Sequence, residues 1–438
     1  MLPCGVVLGG MVRIIFCVTL VMGFVFKASA QQDVGPEIPI VLEHADSLLG
    51  SGSLESSLRT FIGNVRFRQG NVTGQCDKVV QDVLRNTVEL RGSVVIRQAD
   101  LTISAPEIIY DGATSTANAV HGIRLQQAKT VIVSRIGSYE MRSKRARFMR
   151  EVHSVDDTIR LWCDSLDYDR QRDTMLARGN VQIHDTVQGA WFTGMQARRD
   201  ASAGIMELVG EARAWSWSRD SSGSADTTFI RGDTLLSALQ GTADSSGMTA
   251  LGNVLMVRGS TASRSGRLSY NDQSGRILLS ESPVVWSDSS VLQATSIEAE
   301  SSGKRLRRVV GIGKAILLSR SDSLLPVRYD QIGGDKIVMS FEADSSRALR
   351  AIGQSVSITY RQESGQRKGL AKVAADTIDA RIVHDALTDV YWLGGVSGEN
   401  HPERLVRGRE SEFQIPGMII PEGRPFYLPV PRRRSLLR

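Results

Sequence analysis

Short stretches of this chain alternate apolar and polar residues one for one. Val65 and Phe67 stand against Asn64 and Arg66, and Val181 and Ile183 against Asn180 and Gln182. A period of two belongs to half-buried strands, and no long window carries the 3.6-residue stripe of a helix. Proline agrees with this: between Pro39 and Pro402 it occurs only at Pro106, Pro283 and Pro326, as a strand-rich stack requires. The pattern predicts an all-β fold.

The strands come in a repeating sentence. Gly63-Asn64-Val65, Gly92-Ser93-Val94, Gly179-Asn180-Val181 and Gly252-Asn253-Val254 are copies of one half-motif. Gly122, Gly210, Gly313 and Gly353 open weaker copies, and Ser282 replaces the glycine before Pro283. The other half reads Cys76-Asp77 through Asp82, Ala105-Pro106 through Asp111, and Cys163-Asp164 through Asp169. In each, an Asp closes the strand and begins a turn, because its side chain bonds back to nearby amides. Gly63 to Gly92 is 29 residues and Gly92 to Gly122 is 30, and later spacings stretch toward 40. Gly122 to Gly179 leaves room for two units with a degraded glycine between them. The chain therefore reads as a repeat stack.

Five segments follow. Residues 1–30 form a secretory leader, with Arg13 ahead of the apolar run Ile14 to Phe26 and Ala28-Ser29-Ala30 behind it. Residues 31–215 and 229–415 are two repeat blocks, joined by a Ser/Asp/Gly-rich loop or soft joint at 216–228. Residues 416–438 hold five prolines and a run of arginines, and are expected to be extended and solvated. Of the four cysteines, Cys76 and Cys163 lie beyond the leader, each in the small-residue place before an Asp. Stacking would hold them too far apart for a disulfide.

Composition narrows the function. The 438 residues are 41% hydrophobic and 23% charged, with only 6% aromatic, which suits thin layers of Val, Ile, Leu and Ala. A net charge of +6 leans toward an anionic partner. No nucleic-acid motif is present, so that partner is not expected to be RNA or DNA. The six histidines are scattered without metal-ligand spacing, and no nucleophile elbow or phosphate-binding glycine loop occurs. The Asp residues sit one per repeat at turns rather than gathered on one rung. No enzyme activity and no cofactor are expected.

The joint recurrence of both half-motifs, from about Val41 to Gly398, resembles the OstA-like (LptA) family. That family comprises periplasmic lipopolysaccharide-transport proteins and the N-terminal domain of their outer-membrane partner. The resemblance implies a twisted, open β-jelly roll of roughly 30–40-residue repeats, built as two stacked modules enclosing an apolar trough. It implies lipopolysaccharide or a similar glycolipid as cargo, and other proteins of the same fold, or a second copy, as partners through edge-strand pairing. It also implies a periplasmic location, near or at the outer membrane. The chain departs from the pattern in being about twice the length of a one-module bridge and in lacking a long run of membrane-barrel strands.

The inward row is expected to be Val65, Phe67, Val94, Ile96, Ile123, Leu125, Val181, Ile183, Val254 and Met256. Two basic clusters are candidates for lipid phosphates: Arg142, Lys144, Arg145 and Arg147, and then Lys304, Arg305, Arg307 and Arg308. The rival expectation is a structural periplasmic scaffold or protein-interaction module, whose trough would be filled by its own side chains.

Overall fold

The computed structural model describes residues 40–429 apart from 54–55, 188, 201, 220–224, 239–246, 272–273, 303–304, 322–324, 326, 342–346, 364–365, 384–385, 421–422 and 427. The expected leader at 1–30 lies outside them. The described residues are 76% strand and 2% helix. The described residues divide into two compact units, 40–210 and 211–429.

In the first unit two runs of long strands pair antiparallel in sequence order. Ser56–Gln69 leads to Val72–Asp82, Thr87–Gln98 and Leu101–Asp111. Arg145–Val155 leads in the same way to Ile159–Asp169, Thr174–Asp185 and Ala190–Asp200. Between these two runs the rungs are broken into shorter pieces. Thr116–Ala119 and Ile123–Gln127 both pair with Leu101–Asp111. Thr130–Ser134 and Ile136–Glu140 both pair with Arg145–Val155.

The two half-motifs explain the breaks. Ile62 lies opposite Lys78 and Val65 opposite Cys76, so Gly63 and Asn64 together face the single residue Asp77. Gly63 has φ +80° and Asn64 φ +45°. Two successive left-handed residues interrupt the ladder and turn the strand through a corner. The same pair of conformations recurs at Gly92-Ser93, Gly179-Asn180, Gly252-Asn253 and Gly353-Gln354. Between Gly122 and Gly179 the degraded glycine is Arg150-Glu151, at φ +62° and +55°. Pro106 sits at such a corner too, opposite the bulge between Arg91 and Val94, where no ladder bond is lost to it.

The Asp of the other half-motif belongs to the same corner. Asp164 lies over Gly179, where an added Cβ would come 2.3 Å from its Oδ2. Its Oδ2 also accepts a hydrogen bond from Asn180 Nδ2 at 2.8 Å. Asp46 with Gly63-Asn64 and Asp233 with Gly252-Asn253 repeat the arrangement. Turning every strand at a corner folds two half-sheets toward each other. Val79, Leu90 and Ile108 before or after the bend pack in one cluster with Val65, Val94 and Ala105 from its other side. Cys76 and Cys163 are unpaired and buried in this vertex. Burial pushes the Cys76 thiol up to about 11 and that of Cys163 to about 12, marking a dry interior.

The second unit follows the same plan in longer strands, from Ala225–Ala238 and Gly247–Arg258 to Arg347–Glu363 and Gln366–Val383. Two expectations are corrected here. Ser216 to Thr228 is not a loop along its length: strand Ile205–Arg219 runs to one side and Ala225–Ala238 begins on the other. The remaining residues, 220–224, lie outside the described ones. The C-terminal segment, described as far as residue 429, is extended and leaves Ile419 and Phe426 exposed, but it is held on the strands rather than free in solvent. After the helix Glu403–Val406 and the 3-10 turn Glu410–Phe413, it runs back across the strands of this unit.

The face it crosses is apolar, which is why it is covered. Phe229, Val257, Ala262, Trp286, Val291, Leu318, Gln331 and Ile358 stand opposite one another in a single cross-strand row. Gln331 donates from Nε2 to Phe413 O at 3.1 Å and accepts from Ile415 N at 2.8 Å. Gln293 holds both backbone groups of Ile419 in the same manner. Farther along, Arg424 donates to Gly259 O, and Trp215 Nε1 donates to Leu428 O at 2.7 Å. Arg328, 2% exposed, clasps the start of the segment through Glu403 and Glu410 at 2.9 and 3.0 Å, with its guanidinium over the Tyr360 ring.

Candidate functional site

Register decides which side chains share a face, because residues directly opposite each other point the same way. Counting from the corner of the first unit, Val65 stands opposite Cys76, Val94 opposite Ala105, Val152 opposite Cys163 and Val181 opposite Gly194. These form the floor: Val65 and Val181 are 1% exposed and Val94 is fully buried. Two residues farther along each strand lies a second row. Phe67 faces Gly74, then come Ile96, Ile103, Leu125, Ile132, Ser154, Leu161, Ile183 and Phe192, each opposite the last.

This row is one wall of a slot. The half-sheets on the other side of the corner supply the second wall, in which Phe148, Leu166, Ala177 and Ala197 are opposite one another. The two walls line one cleft near Ile159, Leu161 and Ile183 on one side and Leu166, Met175, Ala177, Ala197 and Met206 on the other. Ser154, Asp156, Arg198 and Arg199 also line it. Asp156 is spent on its own turn, accepting from Thr158 N and Ile159 N through Oδ1. Arg198 pairs with Asp200.

The wall is only partly covered. Phe67, Ile96, Ile103, Leu125 and Leu161 are only half-buried, so part of the wall's apolar surface stays open; Leu161 lines the cleft, and Phe67, Ile96 and Ile103 pack against the corner cluster. Such a surface removes hydrocarbon from water at about 0.8 kcal/mol per CH₂. Gly74 matters here because it leaves room for the Phe67 ring: a Cβ on it would lie 2.0 Å from Phe67 Cζ.

Eight of the ten expected inward residues lie in the first unit: Val65, Phe67, Val94, Ile96, Ile123, Leu125, Val181 and Ile183. All of them pack at the corner or on the wall beside it. Val254 and Met256 face inward in the second unit, where they stand opposite Ser265 and Ser263 and are 0% and 6% exposed. The first basic cluster is not at the slot. Arg145 and Arg147 alternate with the inward Ala146 and Phe148, and they pair across the outer face with Asp169 and Asp167 at 3.2 and 2.5 Å. Arg142 and Lys144 lie at the preceding turn. In the second cluster Arg307 and Arg308 are exposed, Arg305 begins strand Arg305–Arg320, and Lys304 lies outside the described residues.

Ile103, Leu161, Met175 and Phe192 belong to the slot but are not singled out by the sequence pattern. A signal for two of them is present. Leu161 precedes Cys163 by two residues and Ile103 precedes Ala105 by two, the mirror of Val181 and Ile183 across the corner. Among the described residues no group of three or more His, Cys, Asp and Glu side chains comes together to hold a metal.

Residues 37–188 match the model of the family described as OstA-like protein. The match covers most of the first unit, including the floor except Gly194 and the greater part of both walls. No curated protein matches the chain.

Proposed function

We propose that the OstA-like segment, with the strands that complete its unit, binds the acyl chains of lipopolysaccharide or a similar glycolipid. The chains would lie in the slot while the sugar head stays in water. The protein then works in the periplasm, exported by its leader, as part of a bridge for outer-membrane assembly. The observation that supports this most is the cross-strand row from Phe67 to Phe192, apolar but for Ser154 and only half-buried at Phe67, Ile96, Ile103, Leu125 and Leu161, with a second apolar wall facing it near Leu161. A scaffold that only needed to hold itself together would close these walls on each other.

Partners of the same fold fit the edges. Strands Val41–His44 and Ser47–Ser53 pair with Ser56–Gln69 on one side, and Val41, Leu42, Leu48 and Leu49 are exposed. Edge strands with open backbone groups accept another strand. In the second unit, Tyr391 and Leu393 are exposed on strand Ala386–Leu393.

Photo-crosslinking in the periplasm tests the reading, with the crosslinker placed at Phe67, Ile96 or Ile183. Arg66 and Gln182, which point away from the slot, are the controls. Lipopolysaccharide adducts at the three inward positions alone are the expected result. Adducts at none of them, in folded protein, would leave a scaffold.

A further inference from the structure

Arg199 is the exception among the inward side chains of the first unit. It stands on the slot face, opposite Met175, which is opposite Tyr168. Its neighbour on the same strand and face is Ala197, buried on the slot wall. The side chain is 13% exposed, so the guanidinium is held among the groups that line the cleft rather than in water. Nη1 donates to Asp173 Oδ1 at 3.2 Å. Nε is buried and has no acceptor among the described residues. Arginine cannot shed its proton to escape this, so the site carries an unmet donor beside a carboxylate that is itself 36% exposed.

We propose that Arg199 receives the phosphate-bearing end of an amphiphile whose hydrocarbon chain lies in the slot. The proposal rests on the acyl-binding reading above and adds its polar specificity. A phosphate oxygen would give Nε the acceptor it lacks, and a charge-assisted, forked contact is stronger than a neutral one. Asp173 holds the guanidinium in place while the slot is empty and competes with the phosphate for it. Arg145 and Arg147, by contrast, are paired on the other face of their strand and cannot reach a chain in the slot.

The test is displacement of the neutral dye N-phenylnaphthylamine from the whole protein by dodecyl phosphate and by dodecyl maltoside. Both are kept below their micelle-forming concentrations. Dodecyl phosphate is expected to displace the dye at about a tenfold lower concentration than the uncharged maltoside. Arg199→Gln is expected to bring the two to the same concentration by removing the preference for the phosphate. Arg199→Lys should keep part of the preference, and Asp173→Asn should widen it by removing the competing carboxylate. Equal displacement by both amphiphiles in the unmodified protein overturns this proposal alone, as does a preference that survives Arg199→Gln. Displacement by neither overturns the acyl-binding reading and this one with it. Retention of dye binding and of the far-UV spectrum separates a lost preference from a lost fold.

Discussion

Gly179 shows how much a single residue carries in this fold. Its φ of +75° lies in the left-handed region, and the place where a Cβ would go is filled by Asp164, 2.3 Å from Oδ2 and 2.8 Å from Cβ. Alanine there meets both a backbone penalty and a collision. Gly189, at φ +65° with nothing within 4 Å, isolates the first of these. Gly179→Ala is expected to cost about 1–3 kcal/mol, and Gly189→Ala about 1 kcal/mol, read from urea unfolding midpoints. If the two cost the same, Asp164 is not packed on Gly179 as described. Because Gly-Asn and the preceding Asp are local and chemically distinctive, this corner is legible in the order of residues alone. What that order hides is that the two half-motifs are one object. Asp164 and Asn180 sit 16 positions apart, and only the strand register brings them within 2.8 Å.

At the scale of the strand, alternation identifies the inward residues of the glycine half-motif but not those of its partner. Val181 and Ile183 stand out against Asn180 and Gln182, whereas Leu161 is followed by Trp162, and Ala190, Trp191 and Phe192 run without a polar break. The reason is that the outer face is not polar there. Trp162 stacks on His153 and Trp191, and Trp191 on His184, at ring separations between 4.3 and 5.9 Å. A strand apolar on both faces loses its period, so its inward side cannot be read from pattern. Strand Tyr329–Phe341 carries a cost of a different kind. Asp330 is half-buried, accepts from Tyr360 N at 2.8 Å, and is pushed up to about 6 by burial. A carboxyl whose folded value lies above its unfolded one of 3.8 binds its proton more tightly when folded. Its contribution is fully present below about pH 4 and lost as pH rises through about 6. Asp330→Asn keeps an acceptor for Tyr360 N without the charge. The variant should melt a few degrees higher than the parent at pH 7.5, with the gap closing by pH 4. A gap that stays constant across that range would show that Asp330 does not titrate as its burial implies.

On the scale of the molecule, a meander holds each strand only through its two neighbours, so opening can start at any rung and spread. The C-terminal segment of the second unit breaks that rule. Trp215 binds it across 213 positions of sequence and Gln293 across 126, which ties together strands that have no ladder in common. Nothing in residues 416–429 announces this; proline and arginine composition suggests solvated chain. The signal lies in the strands beneath, in apolar runs such as Ala315-Ile316-Leu317-Leu318 that fill both faces and demand a cover. Gln331 is then a polar residue set between Leu318 and Ile358, 2% exposed, whose amide is satisfied by the segment. Arg328 anchors the near end, and removing one member of a buried, hydrogen-bonded ionic group costs about 3–5 kcal/mol. Arg328→Met is therefore expected to release the segment first. In hydrogen exchange, the amides of Ile415 and Ile419 and the strand Tyr329–Phe341 should lose protection by about two to four orders of magnitude, in keeping with that cost. Strand Thr174–Asp185 in the other unit should keep its protection. The same protection in the variant as in the parent would mean that Gln293, Gln331 and Trp215 hold the segment without its clasp. Loss spread evenly over both units would mean that Arg328 supports the whole fold rather than this cover.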